Sequence, residues 1–132
     1  MPALNFQERF APDVESGIKR QSMRKPRADG KPHCKVGDTL KLYTGMRTQQ
    51  CRLLGEARVT RIATVKIDQT GMKLDGERLF ACLHSRDQLD PTDNEFAEAD
   101  GFESFADMRD WIEETHGPLP FEGVVIYWSE PR

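Results

Sequence analysis

Apolar and polar positions alternate with a period of two in several short runs and recur at helical spacing in one, which predicts a β-rich chain with a few helices. "LNF" near the start predicts a short strand, and "PDVESG" sets Pro12 at a first helical position and Gly17 just past the end of a brief helix. A strand is predicted from Lys19 to Arg24. Two prolines, two glycines and two aspartates make Lys25 to Asp38 a surface loop that ends in a turn at Gly37 and Asp38. "TLKLYTG" then alternates as a half-buried strand does. In Glu56 to Asp68, Val59, Ala63, Val65 and Ile67 share one parity, and Arg58, Thr60, Thr64 and Lys66 share the other. That pattern predicts a strand with one polar, basic face, interrupted at Arg61 and Ile62. "GMKLDGERLF" predicts a further strand or hairpin arm, and the acidic "RDQLDPTDNEFAEADGF" a short helix ending before Gly101. Phe102, Phe105, Met108, Trp111 and Ile112 fall at helical spacing, with Ser104 and Asp107 placed as a capping box and Gly117-Pro118 as the stop. "GVVIYW" closes the pattern as a strand covered on both faces. The sum is one α+β domain over residues 1–132, with a curved or closed sheet of about five to six strands under two or three helices.

Composition narrows the class. With 37% hydrophobic and 31% charged residues and no long apolar run, the chain reads as an ordinary globule with no membrane-spanning segment. The start, "MPALNFQERF", lacks the apolar region of a secretory signal, which gives the expectation of a cytoplasmic protein. The three cysteines, Cys34, Cys51 and Cys82, are widely spaced and lack a C-x-x-C pair, so they are expected to be reduced and partly buried. His33-Cys34 and Cys82 with His84 do not have the spacing of a structural zinc site. No metal and no cofactor is expected.

Charge changes the picture more. The formal net charge is −3, yet residues 1–65 hold 13 Lys and Arg against 6 Asp and Glu, and residues 66–132 hold 6 against 16. Five of the basic residues fall in "SGIKRQSMRKPR", Ser16 to Arg27. Such asymmetry suits a face for an anionic partner, or two halves that neutralise each other. Ser22 within that stretch is a poor nucleophile until a base takes its proton, and a lysine serves as that base when desolvated or beside other cations. In a regular strand Lys19 and Gln21 point one way and Arg20, Ser22 and Arg24 the other, so Lys19 and Ser22 need a bulge or a strand end to pair, or else have separate roles. A basic groove needs less geometry. Arg20, Arg24, Arg27, Arg47, Arg58 and Lys66 would follow a phosphate backbone, with Gln21 and Thr44 as polar contacts and Tyr43 or Trp128 stacking a base. Tyr43 and Trp128 also fit as core aromatics.

Three segments in order carry a family resemblance: "GIKRQSMR", "VGDTLKLYTGMR" and "ADGFESFADMRDWI". The first is similar to a G-x-K-x-x-[polar]-x-R signature, and across nearly its whole length the chain resembles the ASCH domain of the PUA-like superfamily. The resemblance implies a PUA-like curved β-barrel and a ligand that is RNA, single-stranded, or a modified nucleoside. One ASCH branch hydrolyses acetylcytidine with a lysine, a hydroxyl residue three positions later and a distant acid, and other members resemble single-strand ribonucleases. Carried across, those positions are Lys19, Ser22 and Asp100, where that branch has Thr and Glu for the last two. Asp100 also fits as a plain helix-end residue before Gly101. Two other readings stand beside a hydrolase: a non-catalytic reader of RNA or of a modified base, and a protein-interaction module using the acidic stretch Asp87 to Glu114.

Overall fold

Turn chemistry and alternation place the first elements where the pattern puts them. The computed structural model describes residues 2–78 and 92–131. Strand β1 (Ala3–Phe6) buries Leu4 and Phe6 on one face and runs parallel to β3 (Thr39–Thr44). A 3₁₀ turn at Glu8–Phe10 leads into α1 (Ala11–Ser16), which carries Pro12 in its first turn. Gly17 ends α1 in the left-handed conformation, φ 87°, its N–H donating to Val14 O. Only glycine adopts that conformation without cost. Strand β2 spans Gln21–Arg24, shorter at its start than the predicted Lys19 to Arg24.

Strand β4 (Arg52–Asp68) is 17 residues long and begins four residues before the predicted start. A bulge hides those residues from the alternation: Leu42 pairs with Gly55 but Tyr43 pairs with Leu53, so Leu54 is extra and both Leu54 and Gly55 are buried. β4 then pairs antiparallel with β5 (Gly71–Leu74), which turns through Asp75 and Gly76 into β6 (Glu77–Arg78). Asp75 and Gly76 have φ of 52° and 86°, the two positive values that a tight Asp-Gly hairpin requires. The segment read as one arm is therefore two.

Helix α2 (Asp93–Ala99) starts in a complete capping box, Glu95 N donating to Thr92 Oγ1 at 3.1 Å and Thr92 N to Glu95 Oε1 at 2.8 Å. Helix α3 (Phe105–His116) is capped by Ser104, whose Oγ accepts from Asp107 N at 3.1 Å. Asp107 returns its carboxylate to Glu103 N at 3.3 Å, one residue short of a true box. Phe105 N donates to Asn94 Oδ1 at 2.8 Å, which fixes the start of α3 on α2. Strand β7 (Phe121–Trp128) completes the described elements.

These make an α+β chain with a mixed sheet in the order β1-β3-β4-β5-β6, β7 pairing with β4 and β2 with β7. Among the described residues the sheet has seven strands and does not close into a barrel. The chain divides into two compact units, the first comprising the described residues of Met1–Ser22, Pro26–Ile62 and Ile126–Arg132, the second Met23–Lys25 and those of Ala63–Val125. β2, β4 and β7 each contribute residues to both. In β4 the division follows Ile62, where the predicted alternation breaks. In the first unit Phe10, Val14, Leu40, Leu42 and Val59 are buried, and Phe6 and Trp128 form an edge-on pair with ring centroids 5.7 Å apart. In the second, Val65, Ile67, Met72, Phe96, Met108 and Ile112 are buried. Among the described residues no helix is long and apolar enough to cross a membrane.

Two glycines test this backbone. A Cβ on Gly123 would collide with the Arg24 carbonyl, so Gly123→Ala is expected to cost about 1–3 kcal/mol. Gly17→Ala forces a left-handed alanine and is expected to cost about 1–2 kcal/mol. Thermal melts should show both losses; Gly30→Ala, at φ 74° with nothing within 4 Å of its added Cβ, should match Gly17→Ala at about 1–2 kcal/mol because only the left-handed backbone is penalised.

Candidate functional site

The segment after α1 hides polar groups where a strand edge would expose them. Lys19, Gln21 and Ser22 are 2%, 7% and 5% exposed, while Arg20 between them faces solvent. Burying an ammonium costs several kcal/mol unless partners replace its water. Lys19 Nζ donates to Gln21 O at 2.7 Å and stands 5.2 Å from the Phe10 ring centroid, while its backbone N–H donates to Asp13 O at 2.9 Å. Lys19 precedes β2, so the two-residue period does not govern it. Lys19 and Ser22 are both buried in the first unit, one before the start of β2 and one within it.

The remaining predicted contacts of the first unit have diverse settings. Arg20 Nε donates to Gly17 O at 2.8 Å, and the Arg27 guanidinium pairs with Asp29 at 2.8 Å on the surface. Thr44 is 2% exposed and gives its hydroxyl to Phe6 O at 2.8 Å, which makes it a structural link from β3 to β1. Tyr43 is half-buried on β3, and Arg47 takes φ 67° in the following turn. Trp128 is 3% exposed in the core. Arg58 is exposed on β4, and no acidic side chain among the described residues pairs with it.

The second unit holds Arg24, Lys66 and Asp100. Lys66 Nζ lies 3.7 Å from Glu122. Asp100 is 4% exposed at the end of α2, its backbone N–H donating to Phe96 O at 3.0 Å, so it is a helix-end residue as well as a buried acid. The half-buried Arg24 guanidinium donates to Met23 O at 3.0 Å. Burial lowers the Arg24 pKa, and the charge of Asp100 opposes that shift. The sequence reading passed over His116, the last residue of α3, which lies between Trp111 and Phe121 at centroid distances of 5.6 and 5.3 Å. Lys25 Nζ donates to its carbonyl at 2.9 Å. Burial, then the charges of Lys25 and Arg24, lower the His116 pKa.

A cleft of about 400 Å³ opens in the first unit, lined by Thr39, Glu56, Arg58, Thr60, Ser129 and Glu130. Of these only Arg58 had been singled out from the sequence. The alternation of Glu56, Arg58 and Thr60 on one face of β4 was the available signal, but nothing local in the sequence says that Ser129 and Glu130 join them.

Two thiols differ from each other: Cys34 is buried, and burial, then the charge of Asp38, raises its pKa, whereas Cys51 is exposed after the Gly45–Gln50 turn rather than partly buried. Cys82 and His84, and the stretch from Asp87 to residue 91, lie outside the described residues. Among the described residues no three His, Cys, Asp or Glu side chains gather to hold a metal ion.

A histidine whose pKa is lower folded than unfolded binds its proton more weakly in the native state, so its share of stability is lost as pH falls below about 6.5 toward the folded value. His116→Phe keeps the ring packing and removes the proton. Denaturant melts from pH 7.5 to 5 should therefore show a shallower acid-side loss in the variant, and identical slopes would refute the assignment. No protein-family model, no curated protein and no solved structure matches the chain.

Proposed function

We propose that this chain is an ASCH-type protein that binds a modified nucleoside and hydrolyses it, with Lys19 and Ser22, both of the first unit, at the reacting centre. The proposal carries with it the curved PUA-like sheet of that family. Its main support is the row of polar side chains, Lys19, Gln21 and Ser22, each under 10% exposed. Polar groups are seldom withdrawn from water to that degree without structural compensation or chemical use. Burial also bears on the ligand class: groups so enclosed suit a small molecule held within the fold, whereas a nucleic-acid backbone needs open cations. Two of the cations expected in an open groove, Arg27 and Lys66, are already paired with Asp29 and Glu122. Those exposed pairs are weak, worth about 0–1 kcal/mol each, but they reduce the net positive charge offered to phosphate.

In this reading Lys19, as the neutral amine, takes the Ser22 proton while Oγ attacks the acyl carbon, and it passes that proton to the leaving nitrogen as the C–N bond breaks. Water then returns the acyl group as the carboxylic acid. For acetylcytidine the products are cytidine and acetate.

The test is mass spectrometry of acetylcytidine and of a short single-stranded RNA after incubation with the protein. Deacetylation by the wild type should fall about 10²–10⁴-fold in Lys19→Ala and in Ser22→Ala, with folding checked by circular dichroism. Ser22→Thr should retain part of the rate. An inert wild type, or turnover indifferent to both alanine variants, would reject the proposal; cleavage of the RNA in place of deacetylation would reassign the reaction to a ribonuclease.

A further inference from the structure

The cleft of about 400 Å³ in the first unit is within the size range of small-ligand sites. Its floor is rigid. Arg58 N donates to Ser129 Oγ at 3.0 Å and Ser129 N to Arg58 O at 2.9 Å, which ties the chain after β7 to the middle of β4. Thr39 is the cross-strand partner of Arg58, and the backbone pair Gly37 N to Val59 O, 2.8 Å, and Val59 N to Asp38 O, 2.9 Å, extends that ladder beyond β3. Ala57 completes the lining.

The lining chemistry is specific. Glu56, Arg58 and Thr60 project from one face of β4. Glu56 lies 3.8 Å from Lys41, so its charge is largely met within the protein. Arg58 and Glu130 line the same cleft without pairing with each other, and among the described residues neither has an ion-pair partner. A guanidinium offers a fork of donors that matches phosphate. In the same lining, the Glu130 carboxylate and the hydroxyls of Thr39, Thr60 and Ser129 offer acceptors and donors to a group rich in hydroxyls.

We propose that this cleft is a ribose-phosphate site, with Arg58 holding the phosphate and Glu130 accepting hydrogen bonds from the sugar diol. It deepens the nucleoside reading and rests on it for the choice of a nucleotide over another sugar phosphate.

The test follows amide resonances of the full chain during titration with 5′-CMP, its 2′-deoxy form, ribose 5-phosphate and glycine. 5′-CMP and ribose 5-phosphate should shift Arg58, Thr60, Ser129 and Glu130, with Kd rising about tenfold or more in Arg58→Gln and about threefold in Glu130→Gln. The deoxynucleotide should bind more weakly than CMP. Both substituted residues are exposed, so the variants should fold as the wild type does. No shift at these amides with either phosphate ligand, equal affinity in Arg58→Gln, or a response there to glycine in place of the phosphates would overturn the assignment. Binding is read without turnover, and ribose 5-phosphate carries no base. Retained binding in protein that never deacetylates acetylcytidine would thus remove the hydrolase reading alone, and deacetylation without binding would remove the cleft alone.

Discussion

The structure depends on the pairing capacity of one strand. β4 runs for 17 residues and is hydrogen-bonded to β3, β5 and β7, so much of the sheet is referenced to its register. Because side chains alternate with a period of two, that register decides which residues are core and which face out. Val59, Ala63, Val65 and Ile67 go inward, each no more than 3% exposed, and Glu56, Arg58, Thr60, Thr64 and Lys66 go outward or remain partly open. The strand thus supplies hydrophobic surface to both compact units while displaying a polar edge on each.

Against that apolar framework, the polar residues from Lys19 into the start of β2 are costly. Lys19, Gln21, Ser22 and, elsewhere, Asp100 are removed from water, and none adds the favourable transfer free energy of an apolar side chain. Local geometry offsets part of the cost. Gly17 turns the chain sharply, Lys19 N is satisfied by Asp13 O, and the Lys19 ammonium is received by the Gln21 carbonyl and the Phe10 ring. The polar chemistry is thereby held by backbone and ring contacts that a substitution at Gly17 or Phe10 would disturb as much as one at Lys19.

The strands, the α3 stripe and the short α1 were legible because each is governed by neighbours in sequence: Pro12 and Gly17 bracket α1, and Met108 and Ile112 mark the buried face of α3. The start of β4 was not, because Leu54 and Gly55 are both buried and a pattern of strict alternation discards them. Lys19, Ser22 and Asp100 were legible as chemistry but not as buried groups, since burial depends on what the whole chain folds over them. His116 was passed over because its surroundings, Lys25 and Phe121, come from other parts of the sequence. The cleft is the extreme case, with Thr39, Glu56 and Glu130 drawn from three separated segments.

The bulge at Leu54 gives β4 a property that none of its other residues has. Opposite Leu42 and Tyr43 the strand already holds one residue more than its partner, and both residues of the bulge lean to the same side. Removing one residue there would regularise the ladder and leave every later side chain on its own face, whereas removing one at Val65 would turn the remaining inward residues outward. The strand has one point of slack in its length, on the near side of Arg58 and ahead of the apolar run from Val59 to Ile67. A lineage of such chains can vary in length at that point while preserving both the core and the polar face of β4.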